Sequence, residues 1–255
     1  MNNSEPKVKS LYKALQILDC FSVKTPELGI SEIAKKLQMS KSNVHSIVQT
    51  MVYAGYLKKN LSSEKYGLTN KMLEFSYIIT NQLSYQSSVQ ISMKKLASKV
   101  RGVIYFGVLH GSYVLYMFTT LSDIHDNNII VRSIMGEKAP LYCTSLGKAL
   151  LMNLDEEEIL ERVQKLERIS YTPNTLLTDK QLLDDLALSK SRGYTEDDVE
   201  HEANVRCVGV PIYTHAGKLI GAMSVSGLPV NISEKEMTEV VKALQDAATE
   251  IRAQN

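Results

Sequence analysis

The stretch "SKSNVHSIVQTMVYAGYLKKN", Ser40 to Asn60, decides how the front of this chain folds. Small polar residues lead it, and Val44, Ile47, Val48 and Met51 then recur at helical spacing. That pattern predicts an amphipathic helix from about Lys41 to Ala54 with Ser40 as its N-cap. Directly after it, Tyr56–Lys59 and Lys65–Leu68 read as two strands around the polar turn "NLSSE". Upstream, "ISEIAKKLQM" predicts a short helix capped by Ser31, with Ile33, Ala34 and Leu37 inward. "TPELG" breaks the chain before it, and Ser10 to Phe21 forms an earlier helix. Its stripe is Leu11, Leu15, Leu18 and Phe21, with Ala14 and Ile17 beside it. Two helices joined by a tight turn, with a helix before and a β-hairpin after, make a winged helix-turn-helix.

The residues on the solvent side suit a polyanion. From Met1 to Thr80 there are 11 Lys and no Arg against 6 acidic residues, a net of +5, whereas the whole chain carries only +1. A basic head on a mildly acidic body fits a nucleic-acid-binding module joined to a sensing or assembling one. Lys41 lies at the start of the third helix, and small Ser42, Asn43 and Ser46 let that helix sink into a major groove. Asn43, His45 and Gln49 reach base edges, Asn and Gln matching adenine. Lys58, Lys59 and Lys65 on the hairpin meet phosphates or the minor groove. The competing reading makes the same side chains the solvated face of a core helix in a protein–protein module.

Length and composition fit one large domain or two smaller ones. The chain has 255 residues, 44% hydrophobic and 22% charged. No run approaches the ~20 apolar residues of a membrane-spanning helix, and "MNNSEPKVKS" lacks the apolar core of a signal peptide. Cys20, Cys143 and Cys207 are too few and too far apart for a disulfide framework, so a reducing cytoplasm is expected.

Beyond the hairpin, Met72, Phe75, Ile79 and Leu83 stripe a linker helix over 70–87, followed by a helix from Val89 to Val100. "VIYFGVLHGSYVLYMFTT" is two strands around a turn, and "NNIIVRSI" is a third. Pro140 marks a loop, and Thr144 caps a helix from Ser145 to Asn153. Two further helices follow, the first opening with "DEEE", the second capped by Thr178 and stopped by Gly193. "VRCVGVPIY" and "GKLIGAMSVSG" are strands joined by "THAG", and Ser233 with Glu236 forms a capping box on the last helix. The expected fold class is α+β: a winged helix-turn-helix domain over 1–69, the linker helix over 70–87, and a second domain over 88–255 around a mainly antiparallel sheet.

These residues resemble a known family. "KSNVHSIV" and "YAGY" stand where the IclR-type bacterial transcription regulators carry a "KSTVHRLL"-like recognition helix and an "EEGY" approach to the wing. "GEKAPLYCTSLGKALL" is similar to their "PLHATALGKALLA" motif, and "VRCVGVPIY…GKLIGAMSVSG" to "VRCVAAPIFD…VVAALSVSGP". The resemblance covers nearly the whole chain from Ser10. It implies a GAF-like effector-binding second domain, double-stranded operator DNA as partner, a small-molecule effector such as an organic acid, and a homodimer or homotetramer. It also implies no enzyme activity, no cofactor and no membrane. By the same resemblance Ser145, Leu146, Asp197, Cys207, Ser224 and Ser226 hold effector-contact positions, with Val131 and Val205 as apolar wall. Asn43 and Ser46 depart from the usual Thr and Arg, Tyr142 and Cys143 from His and Ala, and Asn204 from Gly.

Local chemistry agrees in outline. The helix start after Thr144 leaves the Ser145 and Leu146 N–H groups for a carboxylate. Ser224 and Ser226 share one face of a strand, and Cys207 lies on the same face of its own strand as Val205 and Gly209. The bland alternative is that the serines satisfy nearby backbone and Cys207 is core. Cys143, Cys207, His201 and His215 lack zinc-ligand spacing, and neither G-x-S-x-G nor a phosphate-cradling G-x-x-x-x-G-K-S/T occurs. Two rival functions remain open at this point: a thiol-based redox sensor using Cys143 or Cys207, and an enzyme of small acids whose helix-turn-helix only assembles it.

Overall fold

The computed structural model describes residues 5–124 and 135–255. The chain divides into two compact units, Met1–Leu83 and Ser84–Asn255.

The first unit holds α1 (Lys9–Leu18), β1 (Glu27–Leu28), α2 (Ile30–Leu37), α3 (Lys41–Tyr53), β2 (Leu57–Lys59), β3 (Tyr66–Leu68) and α4 (Lys71–Asn81). Ile17, Ile33, Val44, Val48, Met51, Leu57 and Tyr66 form its core. Gln38 adopts a left-handed conformation (φ 54°) that turns the chain from α2 into α3, and the Ser40 hydroxyl accepts the Asn43 N–H as expected of the cap.

Four details of this unit differ from expectation. Gly29, not Ser31, caps α2: the Glu32 carboxylate reaches back to accept the Gly29 N–H at 2.6 Å, and Ser31 sits exposed in the first turn. In α1 the buried residue is Ile17, while Leu11 and Leu15 are 58% and 52% exposed. A helix apolar on two sides buries only one, and here the Ala14–Ile17–Leu18 side faces the core. The break "TPELG" contains β1, which pairs with β3 and makes the wing three-stranded in the order β1-β3-β2. Finally, α4 ends at Asn81 rather than running to Ser87.

The second unit begins with α5 (Gln86–Ala97), followed by β4 (Val103–His110), β5 (Tyr113–Leu121), β6 (Lys138–Pro140), α6 (Ser145–Leu151), α7 (Glu156–Lys165), α8 (Asp179–Arg192), β7 (Thr195–Asp198), β8 (Arg206–Tyr213), β9 (Leu219–Gly227) and α9 (Glu234–Gln254). Six antiparallel strands lie in the order β6-β5-β4-β9-β8-β7. One face carries Ile104, Phe106, Val208, Val210, Met223 and Val225 against α5 and α9. The other packs against α6, whose Leu146, Ala149 and Leu150 join Leu182 and Leu186 of α8 in a second core. Alternation along each strand sorts the residues between these faces.

Two short edge strands were not expected. Pro140 ends β6, paired opposite Tyr113, instead of lying in a loop. The acidic "TEDD" is β7, paired to β8. The expected capping box on α9 does not form: the Ser233 hydroxyl makes no cap bond. A 3-10 turn, Pro229–Ile232, leads straight into the helix. The expected strand "NNIIVRSI" and Val131 lie outside the described residues.

Candidate nucleic-acid interface and effector pocket

Helix α3 exposes Lys41, Ser42, His45, Ser46 and Gln49, with Asn43 half-buried at its first turn. The Ser46 hydroxyl turns back to the Ser42 carbonyl (3.1 Å), which leaves this face of the helix low. Gln49 donates to the Tyr66 hydroxyl of β3 at 3.1 Å, tying the helix to the wing. The wing lysines differ from one another. Lys58 is exposed and makes no ion pair among the described residues. Lys59 pairs with Glu64, and Lys65 with Glu32 at 2.9 Å. Glu27 accepts Asn60 (2.7 Å) and Ser63 (2.8 Å), fastening the wing turn to β1. Those two hydrogen bonds hold the Glu27 carboxyl below its ordinary value. Three carboxylates therefore bind side chains of the wing, and DNA phosphates would compete with two of them for lysines.

In the second unit, strand register does what chain spacing cannot. Asp197 pairs opposite Cys207, Cys207 opposite Ser226, and Ser226 opposite Val103, one row across four strands. The next row along is Thr195, Gly209, Ser224 and Tyr105. Residues directly opposite one another share a face, so Asp197, Cys207, Ser224 and Ser226 stand on the α6 side of the sheet. Helix α6 sits close on that face. A methyl carbon placed on Gly209 would come 2.7 Å from the Ser145 carbonyl oxygen. The Thr195 hydroxyl donates to the Ser145 carbonyl at 2.7 Å. The Thr144 hydroxyl takes the Gly147 N–H, as expected of the cap, so the start of α6 is fixed beside the row. Val205 is half-buried just before β8. Asn204 adopts φ 63°, the left-handed conformation its place required.

The electrostatics show which groups meet. Burial raises the Asp197 carboxyl to about 7, although its Oδ1 accepts the N–H groups of Glu200 (2.7 Å) and His201 (3.3 Å). Burial also raises the Tyr116 hydroxyl, with Cys207, Tyr105, Glu202 and Asp197 adding to the effect. The Tyr105 and Tyr116 rings lie 5.4 Å apart. Both tyrosines escaped the reading of the sequence. The β4–β9 register, which the sequence does not show, puts Tyr105 on the same face as Ser224.

The Cys207 thiol contacts Asp197 and Ser226, and burial pushes it well up; burial and Asp197 do the same for Cys143. A reactive sensor thiol needs an exposed, cationic setting that favours thiolate. These two have the opposite, which weighs against the redox reading. Tyr142 spends its hydroxyl on the Ile169 backbone, donating to the carbonyl (2.9 Å) and accepting the N–H (2.7 Å). It thus anchors the 166–178 loop. No group of three His, Cys, Asp or Glu among the described residues could hold a metal ion. An open groove of about 250 Å³ between α7 and α8, with Met152, Ile159, Leu183, Leu186 and Lys190 in its walls, shares no residue with the rows.

Arg206, beside Cys207, points to the opposite face as alternation requires: it meets Glu196 (3.2 Å), Asp198 (3.3 Å) and the Ile232 carbonyl (3.1 Å).

The model of the bacterial transcriptional regulator IclR C-terminal domain matches residues 79–253, and that of the IclR helix-turn-helix domain matches residues 10–61. The chain belongs to the IclR family. It is 32% identical to the HTH-type transcriptional regulator KdgR of Dickeya chrysanthemi, over 100% of this chain and 82% of that one. It is 30% identical to the HTH-type transcriptional regulator XynR of Escherichia coli K12, over 95% of both. An IclR homolog from Microbacterium hydrocarbonoxydans, solved in complex with 4-hydroxybenzoate, shares the fold at TM-score 0.79 and 23% identity, covering 96% of this chain and 98% of that one. An IclR-family chain is a transcription regulator with a DNA-binding helix-turn-helix, which decides against the enzyme with an assembly module. No helix among the described residues is long and apolar enough to cross a membrane.

Proposed function

We propose that this IclR-family chain is a cytoplasmic repressor whose operator binding responds to a small carboxylic acid. The acid lies between the start of α6 and the Asp197–Cys207–Ser226 row. That row and its neighbour carry the reading: a carboxyl, a thiol and the hydroxyls of Ser226 and Ser224 share the face of the sheet that α6 covers, and a few polar groups among apolar walls are the usual build of a small-molecule site. Ser145 and Leu146 supply N–H groups to the carboxylate, Ser224 and Ser226 donate hydroxyls, and Asp197 and Cys207 meet the rest of the ligand. Val205 adds apolar wall.

At the DNA, Ser42, Asn43, His45, Ser46 and Gln49 face the major groove, while Lys41, Lys58, Lys59 and Lys65 meet phosphates. The active form is a homodimer, or a tetramer made from two. Support comes from apolar side chains that the first unit leaves exposed on α1 (Leu11, Tyr12, Leu15) and on α4 (Leu73, Tyr77, Ile78, Ile79). Such a face invites a second copy. Two heads then read half-sites about 34 Å apart, and a dimer seated on a promoter blocks polymerase. A coupling of ~1–3 kcal/mol between acid and operator is enough to change DNA affinity about 5–150-fold.

The test is binding to DNA upstream of the chain's own gene across a salt series, with and without a panel of small carboxylic acids. Specific binding that one acid weakens supports the whole reading. Specific binding that no acid alters removes the carboxylate effector, and absence of specific binding removes the operator function.

A further inference from the structure

Lys148 is completely buried in α6, which is rare for lysine, and the row of candidate ligand contacts does not include it. Its ammonium reaches Glu200 Oε1 at 2.6 Å and Asp185 Oδ2 of α8 at 3.1 Å. Burial opposes the charged form, but Glu200 and Asp185 outweigh it and hold Lys148 protonated. Replacing a buried ion pair such as Lys148–Glu200 by apolar side chains of equal size is often neutral or stabilising, so stability alone does not explain the charges.

Their placement does. Lys148 lies one turn beyond Ser145 and Leu146 on the same short helix. Glu200 lies in the turn after β7, and its N–H donates to Asp197 at 2.7 Å. Val199, one residue earlier, sits at φ 60°, a strained conformation for a β-branched residue that its surroundings must impose. Thr172 and Thr175 add to the hold from the 166–178 loop. Thr172 donates to the Val199 carbonyl (2.6 Å), and Thr175 to the Glu200 carbonyl (2.7 Å).

We propose that Lys148 is a positioning residue for the effector: through Glu200 it fixes the gap between the α6 N–H groups and the Asp197 carboxyl, and through Asp185 it passes any change in that gap to α8. This rests on the effector-pocket reading above. Neither end of the ligand site is held to the other by a covalent turn. The sheet places Asp197 and the helix places Ser145, and the buried ammonium joins the helix to the turn that orients Asp197. A few tenths of an ångström in this gap decide whether both ends of a small acid are met at once.

Single removal of Lys148 would leave the buried Glu200 carboxylate beside the partly exposed Asp185 with no cation and could unfold the unit. The full-length triple variant Lys148→Met, Asp185→Asn, Glu200→Gln therefore removes all three charges with little change in shape. Acetate, D-gluconate and 4-hydroxybenzoate serve as a short, a hydroxylated and an aromatic probe, read by calorimetry, with amide hydrogen exchange read alongside. The triple variant is expected to keep operator binding, to bind the best probe at least tenfold more weakly, and to exchange faster at positions 200 and 201. Protection in α9 should stay as in the parent, which separates lost positioning from lost stability. Probe affinity within twofold of the parent, or unchanged exchange at 200 and 201, overturns the proposal. If no probe binds the parent, the pocket reading fails by itself. Exchange at 200 and 201 then judges the tether alone, unchanged rates refuting it.

Discussion

Asp197→Asn tests the buried carboxyl on which the pocket rests. In the folded chain burial raises this group from 3.8 to about 7. The unfolded chain releases the proton near 3.8, while the folded chain keeps it until about 7. Between those values the folded state binds more protons, so stability from this group is complete below pH 4 and is lost as pH rises through 7. Three pH units at ~1.36 kcal/mol each make the loss about 4 kcal/mol by pH 8. Asn carries no charge, and its carbonyl oxygen can still accept the Glu200 and His201 N–H groups that Asp197 Oδ1 now takes. The substitution therefore removes the titration with little change in contacts.

The assay is urea unfolding at pH 5, 6, 7 and 8, followed by far-UV circular dichroism, since the chain has no tryptophan. Other titrating groups contribute to both proteins and largely cancel in the difference. The variant should gain on the parent by about 2–4 kcal/mol between pH 5 and 8, with most of the change between 5 and 7. A difference that stays flat within about 0.5 kcal/mol, the error of such comparisons, would show that Asp197 is ionised in the fold at pH 5. The desolvation argument for the pocket would then be wrong.

The other expectations separate the two sites. Ser224→Ala with Ser226→Ala should abolish the response to the acid while operator affinity, read by fluorescence anisotropy, stays within about twofold, well below the tenfold per 1.4 kcal/mol of a lost contact. Lys58→Ala should weaken all DNA alike and reduce the slope of log affinity against log salt by about 0.9; an unchanged slope would take Lys58 off the phosphates. Glu32→Gln keeps an acceptor for the Gly29 N–H but frees Lys65, so non-specific DNA binding should tighten about two- to fivefold at low salt, the scale of one exposed ion pair. Unchanged affinity would mean that Lys65, once freed, does not meet phosphates. Peroxide at levels that oxidise exposed thiols should leave operator binding intact, because Cys143 and Cys207 are buried with raised thiol values; loss of binding that a reductant reverses would restore the redox reading.

What the sequence revealed followed from periodicity long enough to measure. Helix α3 and its Ser40 cap, the hairpin of β4 and β5, and the pair β8 and β9 all carry their pattern over eight or more residues or at a tight turn. The elements β1, β6 and β7 have two to four residues each. No alternation can register over that length, and the acidic composition of β7 reads as loop. Helix α1 misled because it is apolar on two sides, and only packing shows which one is core. Asp197 entered the candidate site by resemblance alone. The physical reason it belongs there is a pairing register with Cys207, ten residues away in sequence across an irregular turn, which spacing cannot supply. Lys148 stayed hidden because lysine is expected outside, and nothing local marks it as buried.

The two sites also work in different electrostatic settings, and that difference makes the regulator separable by experiment. The α3 and wing side chains, including the Lys59–Glu64 and Lys65–Glu32 pairs, stand in water, where salt screens charges beyond about 8–10 Å. Their contribution must fall steeply as salt rises. Asp197, Lys148, Glu200 and Ser224 are each no more than 5% exposed. Mobile ions do not reach between them, so their interactions persist at salt concentrations that strip DNA from the wing. An acid held by that row should thus bind with nearly the same affinity at low and high salt, while operator affinity drops by orders of magnitude. Their coupling is a difference between two DNA affinities at one salt concentration, so screening of the wing cancels from it to first order. If the coupling instead vanished with salt in step with DNA affinity, the acid would be acting on the wing lysines as a competing anion, and the row on the sheet would not be its site.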